Sequence, residues 1–140
     1  MLADISERCN TIEECYEFTL AYAAQGLPIE GGSASGAQIR EFLNRAVNAI
    51  SGLTGCCAMA VKQQGLEPSE RYEAFVAVVD RDARDSLATI ELVLAQPSIS
   101  SQLIDNLNAS IHLRALLTDL FLLSDIFRLS VRTSAESVRT

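Results

Sequence analysis

The groups in this chain best suited to chemistry at neutral pH are one histidine and one aspartate set seven residues apart, His112 and Asp119. Imidazole titrates near neutrality, and a carboxylate beside it makes a general acid–base pair. Both lie in residues 98–129, SISSQLIDNLNASIHLRALLTDLFLLSDIFRL, the most apolar stretch of the chain. Seven residues along a helix bring the two to nearly the same side, with Cα atoms about 10 Å apart. They cannot touch within one helix. Across a two-fold axis, each can meet the other's mate. A buried aspartate without a partner is costly, so Asp119 needs a partner or an edge. The plain reading is a satisfied core or interface pair; the sharper one is a ligand or catalytic site.

The cysteines are the next candidates. Cys9 and Cys57 fall on predicted core faces, with Cys15 and Cys56 flanking them. Four thiols suffice for zinc, but helical spacing gives no C-x₂-C knuckle, and adjacent Cys56 and Cys57 diverge by about 100°. One histidine rules out a bundle site built on two Glu-x-x-His motifs. Buried cysteine usually acts as a small hydrophobe, so the sequence predicts core thiols, no metal and no cofactor. A Cys–His nucleophile would need Cys56 or Cys57 to meet His112 in space. No G-x-S-x-G, H-E-x-x-H or kinase-type loop is present, so no enzyme is predicted.

The string His112-Leu113-Arg114-Ala115-Leu116-Leu117-Thr118 resembles the phospho-acceptor box of histidine kinases over those seven residues. The resemblance implies an alternative function, histidine phosphotransfer-type signalling through an exposed His112 on a bundle face. The acid that follows the acceptor histidine in that box is Leu113 here, and the Lys-Gly of phosphotransfer domains is replaced by leucines.

Residues 98–129 read as one long helix that must position this pair. On a helical wheel Ile104, Leu107, Ile111, Ala115, Leu122 and Leu129 share one side. Leu113, Leu116, Leu117, Leu120, Leu123 and Phe127 spread round most of the rest, leaving a narrow polar strip of Arg114, Thr118, Asp125 and Arg128. A helix apolar nearly all round is buried on more than one side. We therefore expect it to pack on its own bundle and on a second copy, with Leu113, Leu116, Leu120, Leu123 and Phe127 at the interface. Arg114, Asp119, Asp125 and Arg128 exclude a membrane span.

Three helices precede it. The first covers residues 4–25, with Ile5, Cys9, Ile12, Tyr16 and Leu20 on its apolar stripe. The second opens on a Ser35-x-x-Gln38 capping box and continues past Gly52 and Gly55 to Gly65. The third starts near Pro68 and ends at Pro97, and its sign-alternating run from Asp80 to Asp85 is read as a solvated face. The Gly-rich loop 26–36, GLPIEGGSASG, matches no phosphate-binding spacing and is read as a plain linker. The aromatics Tyr16, Tyr22, Phe42, Tyr72 and Phe75 could enclose an apolar ligand, though such spacing is usually core.

The expected fold is all-α: an antiparallel up-down-up-down four-helix bundle, its fourth helix long and very apolar. Residues 1–129 form the domain and 130–140 a polar, disordered tail. The net charge of −7 carries no basic segment, which argues against nucleic acid. The opening MLADISERCN has no apolar run of a signal peptide, and the thiols are expected in the cytoplasm. A chain that is 49% apolar with a mean hydropathy of +0.19 fits an oligomer. The function expected is protein–protein interaction, as an adaptor, chaperone or regulatory subunit that forms a homodimer; another protein is the second candidate partner, and an apolar ligand or metal in the bundle a further alternative.

Overall fold

The computed structural model describes the backbone of residues 2–31 and 33–139 and the side chains of residues 2–31 and 33–130. The described residues are all-helical, in six α-helices: α1 Leu2–Ala24, α2 Ala34–Ile50, α3 Leu53–Gln63, α4 Ser69–Leu94, α5 Ser101–Ala109 and α6 His112–Arg139. The expected polar tail over residues 130–140 falls, apart from Ser130, on side chains outside the described residues; the backbone of α6 is helical to Arg139.

Two of the four expected helices are each broken in two, and both breaks have local causes. The second starts two residues earlier than the Ser35 box predicts: Ser33 is the N-cap, its Oγ accepting from the Gly36 N–H at 3.2 Å. It then stops at Ser51, where Gly52 takes φ +82°, a conformation open to glycine at little cost. The carbonyls freed there are not left bare. Arg8 reaches across from α1 and donates to Ala49 O at 3.0 Å and Ser51 O at 2.7 Å.

The supposed long fourth helix is α5 followed by α6. Ser100 caps α5 by accepting from the Leu103 N–H. At its end, the Ser110 hydroxyl turns back to Leu107 O at 2.6 Å, and Asn108 is engaged by Thr19 of α1 at 2.9 Å. Side chains that bond nearby backbone in this way compete with helix continuation. Ile111 then sits at φ +61°, which is strained for a β-branched residue. The break re-phases the chain. Ile104 and Leu107 are buried, whereas Ile111, on the same side of the predicted wheel, is out in solvent.

The two unbroken helices, α1 and α4, do not meet among the described residues. Each packs against α2, α3, α5 and α6. The core between them is drawn from apolar positions at helical spacing, including Ile5, Ile12, Leu43, Ile50, Ile90 and Leu120. Tyr22 is buried too, its hydroxyl donating to Ile99 O. Phe18 stacks on Phe42 with ring centroids 4.1 Å apart.

The loop 26–36, read as a plain linker, is held by side chains and backbone. Glu30 and Arg40 form a bidentate pair at 2.7 and 2.8 Å. Arg40 also donates to Leu94 O and Gln96 O, both at 2.8 Å, at the end of α4. The Ile99 N–H donates to Glu30, and the Glu30 N–H to Ser98 Oγ. Leu27 and Ser101 exchange two more bonds. Gly36 is required by crowding, since a Cβ there would lie 2.6 Å from the Gly31 nitrogen.

Arg40→Ala removes bonds to three residues in two chain segments and leaves Glu30 without its guanidinium partner; hydrogen bonds to charged groups contribute about 1.5–3 kcal/mol. We expect a loss of about 2–3 kcal/mol in urea unfolding and roughly half that for Arg40→Lys, which keeps the charge without the fork. Equal stability of Arg40→Ala and wild type would contradict the clasp. Ile111→Gly relieves the left-handed strain at an exposed site and should raise stability by about 1 kcal/mol in dilute solution; a destabilised variant would mean that the isoleucine side chain matters more than its backbone.

Candidate functional site

Asp119 lies about two turns into α6, on the seam with α4. Its partner is not His112 but another carboxylate. Asp82 of α4 faces it, and the Asp119 carboxyl is pushed up from 3.8 to about 7, first by burial and then by the hydrogen-bonded, like-charged Asp82. Asp119 Oδ2 is buried without a hydrogen-bond partner. Ser86, one turn along α4 from Asp82, is buried with its Oγ unbonded as well. No salt bridge of the described residues reaches Asp82 or Asp119. Beside another carboxyl and without a cation, the protonated form of Asp119 is favoured.

His112 is the first residue of α6 and is half-buried. Among the described residues it has no hydrogen-bond or ion-pair partner. The structure thus places His112 and Asp119 on one helix, as their spacing implies, and does not join them.

The five side chains expected at a dimer interface, Leu113, Leu116, Leu120, Leu123 and Phe127, are buried inside the protomer. They are core: α1, α4 and α5 already cover this side of α6. The side that faces out carries Leu122 and Leu129, with Phe121 beside them and Ile111 at its head. An open groove of about 300 Å³ runs along it, lined by Ile111, Arg114, Ala115, Thr118 and Asp119. Sequence reasoning had Ile111, Ala115, Leu122 and Leu129 on one side of the wheel, with Arg114 and Thr118 in the polar strip, but no means of telling which side the protomer covers. It missed Asp82 outright, because an alternating charge run reads as solvated. The available signal was its place directly before Ala83 on the core face.

The cysteines are free thiols. Cys9, Cys15 and Cys57 are buried, Cys15 more deeply than its flanking position suggested. Burial raises the Cys15 and Cys57 thiols to about 12, far from a reactive thiolate. Cys56 donates to Asp4 at 3.0 Å, which raises its thiol too. Among the described residues no three His, Cys, Asp or Glu side chains gather to hold a metal ion. Of the five aromatics weighed for a ligand pocket, Tyr22 is fully buried, and Tyr16, Phe42, Tyr72 and Phe75 pack against the core.

No described helix is long and apolar enough to cross a membrane.

The raised Asp119 carboxyl makes stability depend on pH with a definite sign. The folded chain holds a proton that the unfolded chain releases, so this contribution is full below 3.8 and is lost as pH rises through about 7. Asp119→Asn cannot release it. The difference in melting temperature, Asp119→Asn minus wild type, should therefore grow between pH 5 and pH 8 at protein concentrations too low for association. A difference that stays flat or shrinks would show that Asp119 is not held protonated by the seam. Comparison of the chain with protein-family models, with curated proteins and with solved structures finds no match.

Proposed function

We propose that the chain acts through protein–protein contact, as a homodimer that meets its second copy along the outer face of α6. The observation that carries this reading is the set of large apolar side chains left in solvent there. Ile111 is 60% exposed, Leu122 50%, Leu129 60% and Phe121 44%. Single exposed leucines are ordinary; several along one helix, beside a groove, have the make-up of a docking surface.

The packing supports the finer architectural reading as well, an antiparallel up-down-up-down four-helix bundle. In it α1 and α4 stand at opposite corners, with α2–α3 and α5–α6 as the two broken ones. Such a bundle, with free thiols suited to the cytoplasm, serves as an adaptor, chaperone or regulatory subunit. Phosphotransfer draws less support. His112 is half-buried and has no carboxylate or amide to orient it among the described residues, whereas that chemistry needs an exposed, oriented imidazole.

Sedimentation velocity over a concentration series tests the reading. Wild type should run as a dimer, and Leu122→Glu as a folded monomer with unchanged helical circular dichroism. Leu120→Glu, which places a charge in a fully buried position, should instead unfold the chain. A wild-type monomer at every concentration, or a Leu122→Glu dimer as tight as wild type, would overturn the α6 interface.

A further inference from the structure

Resting on that dimer reading, we propose that the two copies pack α6 against α6 in one antiparallel register. The two-fold axis passes between Ala115 and Thr118, and the partner's His112 closes on Asp119. An isologous contact must be self-complementary, residue by residue, and the outer face of α6 can be checked for that property.

Take the groove residues first. With the axis at that point, Ala115 meets the partner's Thr118 and Ile111 meets the partner's Leu122. The two small residues sit at the centre, where the helices come closest, and the two large exposed ones close the ends. In an antiparallel pair the same flank of each helix faces its counterpart. On a wheel centred on Ala115, Thr118 and Leu122, one flank carries His112 and Asp119 and the other Arg114 and Phe121. The register that seats the groove therefore brings His112 to the partner's Asp119, twice. It also brings Arg114 to the partner's Phe121, twice, in cation–π range.

Three observations single this register out. Asp119 Oδ2 is buried and unbonded in its own protomer. His112, half-buried, has no partner among the described residues. Asp119 and Asp82 form an acidic pair with no cation bonded to either among the described residues, which an imidazole N–H donor from outside would complement. Sliding the helices by one heptad, so that Ile111 meets the partner's Leu129, sets Asp119 near the partner's Asp119 and Arg114 near the partner's Arg128. That register is electrostatically opposed at both flanks.

The two registers are told apart by cysteine cross-linking in a Cys56→Ser background, which removes the one native thiol that is not buried. Under mild oxidation, A115C/T118C should give a covalent dimer, and I111C/L129C should not. In sedimentation equilibrium of otherwise native protein, His112→Asp should weaken the dimer by about tenfold or more, without loss of helical circular dichroism. A wild-type dimer that links through I111C/L129C and not through A115C/T118C overturns this register while leaving the α6 interface standing. A dimer unaffected by His112→Asp overturns the histidine–aspartate contact. A monomeric wild type overturns both this inference and the function it rests on.

Discussion

The junctions after α1 and α4 depend on how one guanidinium closes the end of the bundle. Arg40 holds Glu30 through two bonds and the carbonyls of Leu94 and Gln96 through two more. Helix C-termini leave carbonyls unsatisfied, and here a planar fork from a different helix fills that need. One residue of α2 thereby fixes the loop after α1, the end of α4 and, through Glu30 and Ile99, the entry to α5. The Glu30 carboxyl is held below its usual range, chiefly by its hydrogen bond from Arg40, so the clasp survives until quite acid pH. Arg8 repeats the device at the α2–α3 break. It closes the end of α2 from α1 and lets the chain turn at Gly52 without stranded carbonyls. Each break in the bundle is thus a tertiary contact.

The breaks decide which face the molecule shows. Had residues 98–129 formed one straight helix, Ile104, Leu107, Ile111, Leu122 and Leu129 would lie together, all covered or all bare. The reversal at Ile111 separates them: Ile104 and Leu107 go to the core, while the later residues of the same stripe face solvent. The chain accepts backbone strain at Ile111, of order 1–3 kcal/mol for such positions, and an unsatisfied Asp119 oxygen on the α4–α6 seam. A sequence selected for protomer stability alone would be expected to use glycine at that φ and an apolar residue in place of Asp119. Departures of this kind concentrate where a protein does something besides fold.

The all-helical class was legible because apolar spacing of three and four residues runs through nearly the whole chain. So was the core face of α1, where Ile5, Cys9 and Ile12 are buried as their stripe implies. The breaks were not. Gly52 and Gly55 read as helix glycines explained by a close helix approach or a kink, and nothing in the sequence says which of them turns the chain; Gly52 does, at φ +82°, with Arg8, distant in sequence, closing the carbonyls there. The reversal at Ile111 has no glycine or proline to announce it, and it arises from Ser110 and from Thr19 holding Asn108. The clasp was hidden for the same reason: Glu30 and Arg40 are ten residues apart across a loop that composition alone marks as flexible. At the candidate site, His112 and Asp119 stood out by rarity and spacing. The carboxylate that faces Asp119 lay in a run of alternating charge, and a pattern read on a single helix cannot show which charge its neighbour will cover.

The proton that burial and Asp82 hold on Asp119 also bears on what a partner meets. At acid pH the Asp119 carboxyl is neutral where α6 rests on α4. As Asp119 ionises near neutrality, its charge has no cation partner among the described residues, and the nearest open route to one is the groove beside Asp119. The same titration that loosens the seam therefore makes the groove more attractive to positive charge. Docking a cation there restores what ionisation takes away, so association and the integrity of the seam are linked rather than independent. The polar defect in the protomer and the apolar stripe beside it then act together: the stripe supplies area, and the carboxyl pair selects an orientation.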